Sequence, residues 1–95
     1  MSVNQVVLAH DSRLLREMLR HALNKNPQLE VAEVISNLSR LTKVVKRINP
    51  QWVITSLSPE GNIPKAITKV LRHNPDVNIL GMAVDCSQVK IKYIS

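Results

Sequence analysis

The sequence predicts an α/β fold, a doubly wound and mostly parallel sheet with helices on both sides, in a single domain over residues 1–95. Short apolar runs alternate with segments whose apolar residues recur every three or four positions, the patterns of buried strands and amphipathic helices. The core is almost wholly aliphatic, since Phe is absent and Trp52 and Tyr93 are the only aromatic residues. An aliphatic core is expected for a sheet that is covered on both faces.

The first half of the chain contains two predicted strands and one helix. The apolar run in residues 3–9 predicts a strand, and residues 10–12 (HDS) are types that favour a helix N-terminus. A helix is predicted over 13–25, a second strand over 29–35, and an N-cap for the next helix at 36–37. Strand followed by helix is the unit from which parallel sheets are built.

The second half repeats this order. An apolar stripe at helical spacing predicts a second helix, residues 51–57 a third strand, and residues 77–84 a fourth strand. A third helix begins near Ile63 and Pro64, because proline is tolerated in the first turn. The stripe of the second helix consists of Leu38, Leu41, Val44, Val45 and Ile48.

The last segment departs from the alternation. Residues 85–88 separate the fourth strand from a strand-like segment at 89–94, and four residues are too few for a parallel crossover. The fifth strand is therefore predicted to run antiparallel to the fourth, at an edge protected by Lys90 and Lys92. The alternative is that residues 85–95 form a distorted helix or a tail.

Composition limits the classes of function. Lysine and arginine number 13 against 7 acidic residues, so the net charge of +6 makes an anionic partner plausible. Cys86 is the only cysteine, which excludes an internal disulfide and leaves no metal-ligand spacing. No apolar run approaches the ~20 residues of a membrane helix, so we expect a cytoplasmic protein without membrane contact.

Four segments resemble the receiver domain of response regulators of the NarL/FixJ type. Residues 7–19 (VLAHDSRLLREML) look like the opening of that domain, 26–31 (NPQLEV) like its second-strand entry, 50–59 (PQWVITSLSP) like its phosphoacceptor strand, and 73–80 (HNPDVNIL) like its fourth-strand entry. The likeness covers residues 3–84 in order. It implies a truncated flavodoxin-like (CheY-like) fold with three helices.

The same resemblance implies that the phosphorylation site is degenerate. The aspartate that accepts the phosphoryl group falls on Ser56, the acidic pair that holds magnesium falls on His10 and Asp11, and the hydroxyl residue of the fourth strand falls on Ala83. One carboxylate beside an imidazole is a poor magnesium site, and a serine does not replace a carboxylate acceptor. We therefore expect no phosphotransfer, no metal and no cofactor.

His10, Asp11 and Ser56 should meet at the carboxyl edge of the sheet, where a hydrolytic triad could be imagined. The sequence lacks a Gly-x-Ser-x-Gly motif, and an acid adjacent to the histidine in sequence seldom orients its far nitrogen. The favoured interpretation is that Asp11 caps the first helix beside an inert remnant pocket, and that the protein is not an enzyme.

Basic residues recur on the outer faces of the predicted helices. A solvated surface is the favoured interpretation, and a contact with nucleic acid or an acidic protein is the alternative. No helix-turn-helix or aromatic base-stacking pair supports nucleic acid. The residues of this basic patch are Arg13, Arg16, Arg20, Arg40, Lys43, Lys46 and Arg47.

The two helices missing relative to a complete receiver would leave apolar residues of the last strands under-covered, and such surface usually marks an interface. We expect a homodimer or a permanent signalling or transcription partner, unless the chain is a piece of a longer regulator. The predicted function is a non-phosphorylatable receiver-like regulatory module that acts by protein binding; the alternative is a nucleic-acid-binding protein. The under-covered residues are Val77, Ile79, Leu80, Met82, Val84, Val89, Ile91 and Tyr93, of which Ile79, Met82, Val84, Val89, Ile91 and Tyr93 are the interface candidates.

Overall fold

The computed structural model describes residues 3–58, 60, 62–84 and 88–95, and within them a five-stranded sheet is flanked by three α-helices. The predicted α/β fold is confirmed, and most element boundaries lie within two residues of the prediction. The second helix is the exception, because its predicted first turn is the 3₁₀ turn at Leu38–Arg40. The elements are β1 Asn4–Ala9, α1 Arg13–Asn24, β2 Leu29–Ile35, a short 3₁₀ turn at Leu38–Arg40, α2 Leu41–Ile48, β3 Trp52–Ser56, α3 Lys65–His73, β4 Asn78–Val84 and β5 Val89–Tyr93.

The sheet has the strand order β2-β1-β3-β4-β5. The strands β1 to β4 are parallel, and β5 pairs with β4 in the antiparallel direction, with Met82 opposite Ile91. The predicted antiparallel fifth strand is confirmed. In the turn that joins β4 to β5, residues 85–87, including Cys86, lie outside the described residues.

Local signals in the sequence set the helix ends. The Ser12 hydroxyl accepts a hydrogen bond from the Leu15 amide at 3.3 Å and caps α1, and the Asn37 side chain accepts from the Ser39 amide at the 3₁₀ turn. Helix α2 ends at Asn49, which adopts a left-handed conformation with φ of 51° that asparagine tolerates better than most residues. Helix α3 begins at Lys65, one residue after the predicted Pro64, which is its N-cap.

The core lies on both faces of the sheet. Helices α2 and α3 cover one face, where Val45, Val53, Ile67 and Ile79 are fully buried. Helix α1 covers part of the other face, where its residues Leu19 and Leu23 pack against a cluster of Val6, Leu8, Ile54 and Met82. In the part of the chain that the structure describes, no helix combines the length and apolar character needed to cross a membrane.

The prediction that the residues of β4 and the preceding Val77 are incompletely covered is wrong for Val77, Ile79 and Met82. These three residues are buried within the chain. Val77 and Ile79 are enclosed by the cluster beneath α2 and α3, and the partly buried Ile94 packs there as the chain leaves β5. Met82 packs into the cluster beneath α1. Leu80 is half-buried, and the side chain of Val84 lies outside the described residues.

The expected exposure is found on β5, where Val89, Ile91 and Tyr93 are 49%, 65% and 60% exposed. Directly paired residues of an antiparallel ladder project to the same side, so Ile91 and Tyr93 share the face of Met82 and Leu80. Helix α1 lies over β1 and β2 and leaves this part of that face open. We refer to the surface formed by Trp52, Leu80, Val89, Ile91 and Tyr93 as the open face.

Candidate functional site

The four positions that were predicted to form a degenerate phosphorylation site lie at the carboxyl edge of the sheet. His10 and Asp11 follow β1, Ser56 ends β3, and Ala83 is one residue from the end of β4. The carboxyl ends of parallel strands meet at one edge, which is where open α/β sheets place their ligands. His10, Ser56 and Ala83 are buried, whereas Asp11 is exposed.

The His10 side chain spans this edge and is only 4% exposed. Its Nε2 atom lies 3.0 Å from the carbonyl oxygen of Met82 on β4, and its Nδ1 atom accepts a hydrogen bond from the Ser12 amide at 3.0 Å. A backbone amide can only donate and a carbonyl can only accept, so these two partners assign the ring proton to Nε2. His10 therefore bridges β1 and β4 across the intervening β3.

Asp11 does not share this environment. Its side chain is 80% exposed, with Oδ1 3.3 Å from Nδ1 of His10, an atom already occupied by the Ser12 amide. The interpretation of Asp11 as the helix cap is wrong, because Ser12 performs that role one residue later. The Asp11 carboxylate is therefore exposed to solvent and is not part of the buried edge.

Arg16 also holds this edge, a role that sequence reasoning missed. Its guanidinium donates a hydrogen bond of 2.6 Å to the carbonyl oxygen of His10. Arg16 lies four residues after the N-cap Ser12, so it is one helical turn along α1 and within reach of the segment that precedes the helix. Arg16, a member of the predicted basic patch, is therefore engaged within the chain.

Ser56 and Thr55 occupy the end of β3. Ser56 is 7% exposed and pairs with Met82, and among the described residues no hydrogen bond joins its hydroxyl to His10. Thr55 is fully buried, and its hydroxyl has no hydrogen-bond partner within the described ranges. The triad geometry that would activate a serine is therefore not formed, since the Nε2 atom of His10 is directed at a backbone carbonyl.

Replacing Thr55 with valine should raise the free energy of unfolding by about 1 kcal/mol. The two side chains have the same shape, and the substitution removes the cost of burying a hydroxyl that lacks a partner. Urea unfolding followed by circular dichroism measures the change. Ser56→Ala serves as the control at the neighbouring position, and a loss of stability in Thr55→Val would show that the Thr55 hydroxyl has a partner in solution.

The edge does not fit the magnesium ion that the receiver resemblance implies. Magnesium prefers an octahedral set of oxygen ligands with carboxylates among them, whereas this edge offers the exposed Asp11, a neutral hydroxyl and an imidazole already engaged. No group of three His, Cys, Asp or Glu side chains that could hold a metal ion occurs in the described part of the chain.

The predicted basic patch is divided between two layers. Arg13, Arg16 and Arg20 are on α1, whereas Arg40, Lys43, Lys46 and Arg47 belong to the 3₁₀ turn and α2 on the opposite side of the sheet. The Arg47 guanidinium also donates to Glu33 on β2 at 2.8 Å. These residues do not form one flat basic surface.

The open face continues into an apolar groove beside the end of α1. The groove has a volume of about 250 Å³ and is lined by Val6, Leu23, Leu29, Trp52, Ile54 and Leu80. The rings of Trp52 and Tyr93 lie against each other at a tilt, with centroids 6.5 Å apart. Trp52 thus connects the groove to β5.

Solved structures of several response regulators share this fold. A LuxR-family response regulator from Aurantimonas sp. SI85-9A1 superposes with a TM-score of 0.72 at 18% identity, over 84% of this chain and 58% of that one. The isolated receiver domain of RcsB from Salmonella enterica serovar Typhimurium, studied with phosphomimetic beryllium fluoride, gives 0.72 at 20% identity, over 88% and 65%. The response regulator domain of Thermotoga maritima CheB gives 0.69 at 16% identity, over 83% and 59%.

These similarities confirm the receiver fold that the sequence resemblance implied. The chain spans less than two thirds of the length of each of these three proteins. RcsB itself is also known as dimers bound to DNA. No protein-family model matches the sequence, and no curated protein matches it.

Proposed function

We propose that this receiver-fold chain is a regulatory module that does not accept a phosphoryl group and acts by binding other proteins, a second copy of itself among them. The observation that carries the proposal is the position of His10, whose buried imidazole spans the edge where receiver chemistry takes place. With Ser56 in place of the acceptor aspartate, neither a carboxylate nucleophile nor a magnesium site supports phosphotransfer at this edge.

Protein binding is supported by the open face. Its residues include Ile91 and Tyr93, which are exposed although they are apolar or aromatic, and they are contiguous with the groove beside Trp52. An exposed apolar surface of this kind is typical of protein interfaces. Tryptophan and tyrosine are among the residues that contribute most to the free energy of binding. The partner that we propose acts in signalling or transcription control.

Nucleic-acid binding is the weaker alternative. The net charge of +6 favours contact with an anion, but the arginines of α1 and the lysines of α2 lie on opposite sides of the sheet. A duplex would therefore contact one group and not the other. A steep loss of DNA affinity with rising salt would support this alternative, and no binding at low salt would remove it.

Light scattering with and without magnesium and beryllium fluoride tests the proposed function. We expect twice the chain mass in both conditions, because beryllium fluoride mimics a phosphoryl group only where an acceptor carboxylate and a metal are present. Tyr93→Ser combined with Ile91→Ser should shift the mass to that of the monomer, whereas the control Lys43→Ser on α2 should leave it unchanged. A shift in mass caused by beryllium fluoride would reject the phosphorylation-incompetent module.

A further inference from the structure

The strand β5 forms one edge of the sheet, and no strand among the described residues pairs with its outer side. All five of its residues, Val89–Tyr93, are exposed. A free edge offers a row of unpaired backbone N–H and C=O groups to any extended chain that approaches it. Adding a strand to such an edge is a recurrent mode of peptide recognition.

The hydrogen bonds at the end of β5 indicate which backbone groups face outward. The Ile94 amide donates to the Ile79 carbonyl at 2.8 Å, so the N–H of Ile94 points towards β4, while the Ile79 amide donates in return to the Ser95 carbonyl. Hydrogen-bonded and non-bonded pairs alternate along an antiparallel ladder. The N–H and C=O groups of Val89, Ile91 and Tyr93 therefore point away from β4, towards the free edge.

The two sides of this strand differ in chemistry. Val89, Ile91 and Tyr93 lie on the open face, whereas Lys90 and Lys92 project to the opposite side, opposite Ala83 and Gly81. A strand added to the edge would place its own side chains next to these two sets in alternation. Apolar residues complement the first set, and carboxylates complement the second.

A second copy of β5 does not meet this requirement. In a two-fold antiparallel pairing, Ile91 can lie opposite Val89, Ile91 or Tyr93 of the second copy. These three registers place Lys90 opposite Lys90, Lys90 opposite Lys92, and Lys92 opposite Lys92. Like charges directly opposite each other destabilise a strand pair, so the lysines disfavour self-pairing at this edge.

We propose that the outer edge of β5 binds an extended segment of another protein in which acidic residues alternate with apolar residues. The segment hydrogen-bonds to the backbone of Val89, Ile91 and Tyr93 and pairs its carboxylates with Lys90 and Lys92. Its apolar side chains lie beside the open face, on the same side of the sheet, and extend it. This inference rests on the proposed protein-binding function and specifies the partner. A second copy of the chain then binds through the open face rather than through the strand edge.

The test uses the whole chain and a short capped peptide in which glutamate and valine alternate. The control peptide has the same composition with the glutamates grouped at one end, which keeps the charge and removes the alternation. We expect the alternating peptide to bind more tightly by about tenfold, since several cross-strand pairs are lost in the control. Nuclear magnetic resonance should show slowed exchange of the Val89, Ile91 and Tyr93 amides in the complex.

Two variants separate the backbone contact from the charge contact. Ile91→Pro removes one outward N–H and leaves the hydrogen bonds between β5 and β4 intact. An edge strand tolerates proline at a position whose N–H faces solvent, so the variant should fold. It should abolish peptide binding. Its control, Ile91→Thr, keeps the N–H and should retain binding. Lys90→Glu combined with Lys92→Glu should weaken the glutamate peptide by about tenfold and favour a peptide that alternates lysine with valine.

Equal binding of the alternating and grouped peptides would overturn the proposal, because it would reduce the site to a non-specific cationic surface. Retained binding by a folded Ile91→Pro variant, checked by circular dichroism, would overturn it as well. If no peptide binds and beryllium fluoride does not change the mass of the dimer, the β5 site is rejected and the proposed function is retained. A response to beryllium fluoride would reject the proposed function itself.

Discussion

Replacing His10 with alanine should lower the free energy of unfolding by about 3 kcal/mol. The substitution leaves the Ser12 amide without its hydrogen-bond partner and removes one of the two partners of the Met82 carbonyl, which keeps the Leu57 amide. It also opens a cavity at a site that is 4% exposed. Chemical denaturation followed by circular dichroism measures this loss. The size of the effect reflects a side chain that connects the ends of two strands, β1 and β4, that are not neighbours in the sheet.

Asp11→Ala is the matched control at the adjacent position. Its side chain is 80% exposed, so we expect a change within about 0.5 kcal/mol. Similar losses for the two variants would contradict the assignment of His10 as the bridge, and would indicate that the pair acts together as it would in a metal-binding receiver.

Ile79→Ala should destabilise the chain by about 3 kcal/mol, because Ile79 is fully buried beneath α2 and α3. Ile91→Ala on the neighbouring strand removes the same atoms from a residue that is 65% exposed, and should cost less than about 1 kcal/mol. The difference between the two losses of stability shows whether the part of the sheet covered by helices ends between β4 and β5. The comparison uses thermal or urea unfolding of both variants under one condition.

The concentration dependence of these values adds a second measurement. If the open face is buried between two copies, Ile91→Ala should lower the apparent stability more at high protein concentration than at low concentration. A large loss in Ile91→Ala at every concentration would instead indicate that β5 is covered within a single chain. That result would contradict the exposure found in the structure.

Much of the fold followed from the sequence because each element carries its own signal. The spacing of Leu41, Val44 and Val45 placed α2, and the four-residue link before Val89 excluded a parallel fifth strand. Both inferences depend on local constraints, helix periodicity and loop length, that tertiary contacts rarely overrule. The one-residue shift at Pro64 is the usual uncertainty of a helix end.

The predictions that were wrong or incomplete concern contacts between residues that are far apart in the sequence. The burial of Ile79 depends on α3 and on Ile94, which returns to the core after β5, and neither contact is encoded in the spacing around residue 79. The hydrogen bond between His10 and Met82 joins residues 72 positions apart, so no local pattern could reveal it. The sequence His10-Asp11-Ser12 identified where β1 ends but not the role of His10 in linking β1 to β4.

The reversed direction of β5 determines on which side of the sheet the last described residues lie. Residue Asn4 begins β1 at the amino edge of the sheet, and β5 returns the chain to the same edge, where the Ser95 carbonyl accepts a hydrogen bond from the Ile79 amide at 2.8 Å. Two strand spacings, roughly 10 Å, separate β1 from β4. Residues Asn4 and Ser95 therefore lie on the same side of the module, and His10 lies on the opposite side.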